Sequence, residues 1–135
     1  MTLETVRDYI ASLGIADDAN CYMGRLDNKK TQSIGTYKLE RRGAPKIPLG
    51  GMKNETYGIY PVSLLVHWDK SQNSTEKTAV QLFGCLRDAH DVRIRDSTIK
   101  HFELLVPEPV DVGTDHAGIH EMVIEALIYY EMKGR

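Results

Sequence analysis

The residue types that could do chemistry are concentrated in the segment 104–118 and just after it. Asp115, His116 and His120 combine a carboxylate with two imidazoles four residues apart, a spacing that on a helix would place both imidazoles on one side. However, Gly118 interrupts the pair, and the second histidine enters a predicted strand. Surface histidines are therefore the better interpretation, and a small metal-dependent enzyme using this trio is kept as an alternative of a different class.

The same segment is acidic, whereas the segment 41–56 is basic. Its acidic residues are Glu108, Asp111 and Asp115, and Glu103 comes just before it. Their spacing lacks the alternating oxygen ligands of an EF-hand loop, so a solvated or partner-facing acidic loop is favoured over a calcium site. The basic residues are Arg41, Arg42, Lys46 and Lys53. Because no aromatic residues are interleaved with them, contact with another protein, a channel lining or plain solvation is favoured over nucleic-acid binding.

Nucleophilic catalysis and phosphate binding are not indicated by any motif. Neither GxSxG nor GxGxxG nor GxxxxGK[ST] occurs in the sequence. Cys21 begins a predicted strand, and Cys85 lies within the apolar part of a predicted helix, where a buried and inert thiol is expected. His67 and His101 are interpreted as residues on the face of a sheet. The sequence therefore predicts a protein that is not an enzyme and needs no cofactor or metal.

Composition predicts one folded domain over residues 1–135. The chain is 41% hydrophobic and 27% charged, with a formal net charge of -2 that provides no field for bulk nucleic-acid binding. No apolar run has the length of a membrane span, and the N-terminal residues lack the uninterrupted apolar core of a signal peptide. The two cysteines are far apart and outside any CxxC, which favours reduced thiols and folding in a cytoplasm.

Two amphipathic helices are predicted from apolar residues at spacings of three and four. The first has Thr2 as its N-cap and Gly14 as its end. Its stripe consists of Leu3, Val6, Ile10 and Leu13. The second is predicted to start at Asn73, with Glu76 reaching back to complete a capping box, and to end near His90. Its stripe consists of Ala79, Leu82, Phe83 and Leu86.

Strands are predicted where apolar residues alternate with other residues. The predicted ranges are 21–26, 33–40, 57–68, 92–94, 98–106 and 119–131. In the last of them Met122, Ile124, Ala126, Ile128 and Tyr130 share one face. The order α-β-β-β-α followed by two or three strands predicts an α+β fold, in which a mainly antiparallel sheet is flanked by two helices. The segments 41–56 and 106–118 are too long for simple turns, so they are predicted to be functional connections.

Three stretches of the chain also resemble a known family. They are GTYKLERRGAPKIPLGG, GIYPVSLLVHWDKSQNSTEKTA and LLVPEPVDVGTDHAGIHEMVIEALIYYE. Together they cover most of the chain in order, and they resemble the minor capsid protein family of siphophages of Gram-positive bacteria. The order of elements is similar to that of tail terminator proteins. These stretches carry no catalytic motif, so they bear on family and not on mechanism.

The resemblance implies a virion protein at the head-tail joint that is assembled in the host cytoplasm. Its implied partners are further copies of itself in a ring, expected to be a hexamer, the major tail tube protein, and a head completion or stopper protein. The ring channel would pass DNA without specific binding, and no membrane is involved. A stopper or adaptor ring is the alternative within the same class. The expected contact residues lie in the two charged segments: Arg41, Arg42, Lys46, Lys53, Glu108, Asp111 and Asp115.

Overall fold

The computed structural model describes residues 1–24, 30–40 and 57–132. It contains two α-helices, a short 3-10 helix at Asp18–Asn20, and seven strands. The helices are α1, Leu3–Ser12, and α2, Gln72–Asp88. The strands are β1, Cys21–Met23; β2, Ser33–Lys38; β3, Tyr57–His67; β4, His90–Ile94; β5, Ser97–Leu104; β6, Val110–Thr114; and β7, His120–Met132. The α+β class predicted from the sequence is confirmed.

Helix α1 begins and ends where the sequence predicts. The hydroxyl oxygen of Thr2 accepts a hydrogen bond from the Thr5 backbone N–H at 3.2 Å, which satisfies one of the amides left open at a helix start. Gly14, with a φ of +74°, follows the last turn in the left-handed conformation that glycine adopts easily. Val6 and Ile10 are completely buried, so the predicted stripe is the face that packs on the sheet.

Helix α2 has the predicted stripe but a different N-cap. Ser71, not Asn73, is the cap, and its hydroxyl accepts from the Ser74 backbone N–H at 3.1 Å. Asp69 also accepts from the Ser71 backbone N–H at 2.9 Å, which fixes the chain just before the helix. The prediction of an Asn73 cap is therefore wrong by two residues. Several consecutive residues here have cap-forming side chains, so residue type alone does not select among them.

The seven-stranded sheet has the order β1-β2-β3-β7-β5-β4, and β6 also pairs with β7. Among the strand pairs in the described ranges, only β1–β2 is parallel. Strand β7 is the centre of this sheet because it is paired along both edges. One edge pairs with β3 from Tyr57↔Glu131 to His67↔Glu121. Its other edge pairs first with β6 and then with β5. The start of β7 is thus held between the end of β3 and β6.

Both helices contribute to one core, which lies on a single face of the sheet. The strand residues on this face include Ile34, Val62, Leu64, Val66, Ile99, Ile124, Ala126 and Ile128, all fully buried. The face predicted for the last strand is therefore confirmed. The opposite face carries half-buried residues such as Leu65, Val123 and Leu127. No helix in the described ranges is long and apolar enough to cross a membrane.

Strand β6 is an element that the sequence interpretation missed. Val110–Thr114 lies inside the segment that was predicted to be a connection, and it pairs with the start of β7 across a bulge between Asp111 and Gly113. The predicted order, with two or three strands after α2, is corrected to four strands. All five residues are exposed, so no buried face marks the strand, and the nearby prolines and glycines are typical of a loop.

Asp8 joins α1 to the turn between β4 and β5. Its carboxylate accepts from Arg7 Nη1 at 2.8 Å and from Arg95 Nε at 2.7 Å. The hydrogen bond from Arg7, aided by Arg95, holds the pKa of Asp8 below its usual range, although partial burial opposes this. The pKa is thus lower in the folded than in the unfolded chain, so the stabilisation is present above about pH 4 and is lost as pH falls through the folded value.

We expect Asp8→Asn to lower the free energy of unfolding by about 1 kcal/mol at pH 7, the upper range for exposed ion pairs. The difference from the native chain should shrink below pH 4, because Asp8 then becomes neutral as well. Urea unfolding across this pH range measures both effects. Asp88→Asn is the control, since Asp88 pairs with its exposed neighbour Arg87 at the end of α2. A constant difference at all pH values would contradict the proposed ionic origin.

Candidate functional site

A buried histidine lies between two carboxylates at one end of the sheet. His67 is the last residue of β3, and strand pairing places it directly opposite Glu121 near the start of β7. Its imidazole is 1% exposed, and its Nδ1 lies 2.8 Å from Glu121 Oε2. Its other nitrogen, Nε2, faces Asp115 Oδ2 at 3.6 Å. Among the described residues, these three form the only group of His, Cys, Asp and Glu placed closely enough to hold a metal ion.

Asp115 is held in place by the turn that joins β6 to β7. Its Oδ1 accepts hydrogen bonds from the backbone N–H groups of Ala117 at 2.8 Å and Ile119 at 3.0 Å. The backbone closes the same turn, since Gly118 N–H donates to the Asp115 carbonyl at 3.0 Å and Gly118 has a φ of +84°. One carboxylate oxygen is therefore used by the turn, and the other is directed toward His67.

The electrostatics of this cluster favour an ionised Asp115. The backbone N–H of Ile119 lowers the pKa of Asp115 most, Ala117 and the nearby His67 and His116 act in the same direction, and burial partly opposes them. The side chains of Asp115 and Glu121 are 15% and 20% exposed, so both carboxylates are partly shielded from water. His67 Nε2 is buried and makes no hydrogen bond.

The trio weighed from the sequence is only partly brought together. Asp115 belongs to the cluster, but its partners there are His67 and Glu121 rather than His116 and His120. His116 is exposed. His120 contributes its backbone, accepting from Trp68 N–H at 3.1 Å and donating to the Asp69 carbonyl at 2.9 Å. Sequence reasoning placed His67 on a sheet face, which is its position, but did not identify its two carboxylate partners.

A cleft of about 420 Å³ lies beside this cluster, between α2 and the segment that leads into β6. Its lining includes Gln72, Glu76, Val80, Glu108, Val110 and Glu121. Val80, Val110 and Val112 are 54%, 43% and 51% exposed, which is high for such apolar side chains. Glu108 and Asp111 are also exposed. We call Glu108, Val110, Asp111 and Val112 the acidic ledge.

The other candidate residues from the sequence occupy varied positions. Arg41, Arg42, Lys46 and Lys53 lie outside the described residues. Glu103 is exposed on β5 and accepts a hydrogen bond from the Tyr129 hydroxyl at 2.8 Å. His101 stacks on the Tyr129 ring with centroids 4.5 Å apart. Cys21 is buried, and burial raises the pKa of its thiol, which disfavours the nucleophilic thiolate. Cys85, predicted to be buried, is partly exposed.

Comparison with known proteins identified no relative of this chain. The chain matches no protein-family model, no curated protein and no solved structure. What the geometry defines is an α+β protein with one helix-covered sheet face, a buried histidine between carboxylates, and an exposed acidic and apolar ledge beside a cleft.

Proposed function

We propose that this chain is a structural subunit of a tailed-phage virion, which assembles into a ring, expected to be a hexamer, at the head-tail joint and terminates the tail tube. The proposal is supported by the resemblance of three long stretches to minor capsid proteins of siphophages. The observation that carries it in the fold is the acidic ledge. Exposed valines beside exposed carboxylates are typical of a surface that contacts another protein.

The acidic ledge is suited to docking because a rigid element carries it. Strand β6 is paired with β7, the central strand of the sheet, so the ledge does not depend on a loose loop for its position. Asp111 is fixed further, since it accepts from Gly113 N–H at 2.8 Å and from Gln72 Nε2 at 3.2 Å. Preordered contact residues lose less conformational entropy on binding.

A closed ring needs two different surfaces on each copy, one of which meets the other on the next copy. The basic segment 41–56 has the charge that complements the acidic ledge. Complementary charge would fix the register and the choice of partner more than it would add affinity. In such a ring, one face docks on the last ring of the tail tube, and the other meets the head completion proteins instead of a further tube ring.

Charge reversal tests the ring contact directly. Arg41→Glu with Arg42→Glu should weaken self-association at least about tenfold, because like charges across an interface cost more than a lost rim contact. The expected result is loss of ring-like particles in electron microscopy and native mass spectrometry, with an unchanged unfolding curve. Glu108→Arg with Asp111→Arg in the same chain should restore assembly. Asp115 is left unchanged in this design because the turn uses its carboxylate.

The matched control is Lys77→Glu with Arg87→Glu, which makes the same change in net charge on exposed positions of α2. This control should assemble as the native chain does. Equal loss of assembly in both double variants would show a general effect of net charge and would contradict the paired-segment contact. A native chain that stays monomeric even when tail tubes are present would overturn the ring proposal itself.

A stopper or adaptor ring would use the same kind of interface, so a separate experiment must distinguish it from a terminator. Purified subunit is mixed with free tails and, separately, with DNA-filled heads that lack tails. A terminator should attach to the end of the free tails. Attachment to heads alone would overturn the terminator proposal in favour of a head-side component.

A further inference from the structure

We propose that His67 and Asp115 bind a divalent first-row transition-metal ion, with Glu121 holding the imidazole in the orientation that binding requires. The site lies where the end of β3, the β6–β7 turn and the start of β7 meet. It is independent of the ring proposal, because it lies within a single chain and its ligands come from no partner.

The hydrogen bond of His67 with Glu121 decides which nitrogen is available. An ionised carboxylate only accepts hydrogen bonds, so at 2.8 Å from Glu121 Oε2 the Nδ1 atom carries the proton. In the neutral imidazole, Nε2 then presents a lone pair, and this atom is buried without a hydrogen-bond partner. A metal-binding histidine typically donates its other N–H to a carboxylate in this way, which fixes the tautomer and makes the ligand nitrogen more basic.

The spacing on the Nε2 side fits an ion better than a direct contact. At 3.6 Å, Nε2 and Asp115 Oδ2 are too far apart for a good hydrogen bond. Both atoms can reach one ion at the usual metal–ligand distances of about 2.0 to 2.2 Å, because two such bonds span separations of up to about 4 Å. Asp115 is also preordered for this role, since two backbone N–H groups hold its Oδ1 and leave Oδ2 directed at the imidazole.

Charge and access support a cation in this position. Two partly buried carboxylates flank an imidazole that is 1% exposed, and a positive charge among them offsets the cost of burying their negative charge. An imidazolium proton on Nε2 or a metal ion bound there can supply it, and a bound ion would take the place of that proton. The side chains of Asp115 and Glu121 are 15% and 20% exposed, so the cluster can be reached from the solvent at its two carboxylates. Imidazole with carboxylate favours Zn²⁺ or a similar ion over Ca²⁺ and Mg²⁺, which prefer oxygen ligands alone.

Titration of the full-length, tag-free and chelator-treated protein with Zn²⁺ tests the site. We expect saturable binding of about one ion per chain by calorimetry, and an increase in melting temperature of roughly 5 °C when zinc is well above its dissociation constant. Co²⁺ should give the visible absorption of a nitrogen- and oxygen-bound ion. Absence of saturable binding by the folded native chain would overturn the proposal.

Variants identify the ligands. His67→Gln should abolish the binding, Asp115→Asn should weaken it by at least about tenfold, and Glu121→Gln by about 10- to 100-fold, as is usual for a residue that orients a ligand. Circular dichroism checks that each variant is folded. Asp115→Asn keeps the carbonyl that the turn requires, so it remains informative if His67→Gln fails to fold.

The controls are His116→Ala and His120→Ala, which change the two histidines outside the cluster. Neither should alter the stoichiometry or reduce the affinity by more than a few-fold. Loss of binding in either control, with retention in folded Asp115→Asn, would contradict the His67 and Asp115 assignment and point to surface histidines instead.

Discussion

Asp115→Ala is expected to lower the free energy of unfolding by about 3 kcal/mol in chelator-containing buffer, because its carboxylate accepts two backbone hydrogen bonds and each bond to a charged group contributes about 1.5 to 3 kcal/mol. The Ile119 amide is partly buried, so water replaces this acceptor poorly. The chelator removes any bound ion, so the loss reports contacts within the chain, chiefly the two backbone hydrogen bonds of the turn. Urea unfolding at constant protein concentration gives the difference.

Asp111→Ala is the matched control, since Asp111 also accepts a backbone hydrogen bond in the same segment, from Gly113 at 2.8 Å. That bond is exposed, and water can satisfy the amide when the carboxylate is removed. We therefore expect a loss below about 1 kcal/mol. We infer that Asp115 stabilises the β6–β7 turn and that Asp111 is mainly an exposed contact residue. Equal losses of unfolding free energy in the two variants would contradict this inference.

Most elements of this fold could be predicted from local sequence patterns, because the side chains that are buried recur at the spacing of a helix or a strand. The stripe in α1 and the alternation in β7 both report which side chains face the core, and both predictions are confirmed. Strand β6 was missed for the same reason, since none of its five residues is buried and its short alternation of valines lies among prolines and glycines that are typical of a loop. Its position is fixed by pairing with the start of β7, the next strand of the chain.

The cluster was missed because its members are far apart in the chain. His67 and Glu121 are neighbours only through the register of β3 with β7. A usable signal did exist: His67 lies at the end of one long predicted strand and Glu121 near the start of another, and adjacent antiparallel strands bring such opposite ends together. Asp115 was noticed through its closeness in sequence to His116, yet the turn directs its carboxylate toward a different histidine.

Ile124→Ala should produce a large loss of stability without touching any charged group. Ile124 is fully buried on the central strand, pairs with Leu64 of β3, and faces the helices. Removing a buried isoleucine side chain loses its transfer free energy and leaves a cavity, so we expect a loss of about 2 to 5 kcal/mol. Chemical denaturation of the purified subunit measures it, and the midpoint should fall while the slope with denaturant stays constant.

Val123→Ala supplies the comparison, because Val123 is the preceding residue of the same strand and points to the opposite, half-buried face. Its loss should be near 1 kcal/mol, since less apolar surface returns to water. Losses of equal size would contradict a core confined to the helix-covered face. Ile124→Ala also helps to separate folding from assembly. If the ring contact uses the charged segments, Ile124→Ala should abolish rings only under conditions in which the subunit unfolds. In contrast, Arg41→Glu with Arg42→Glu should abolish rings while the subunit stays folded.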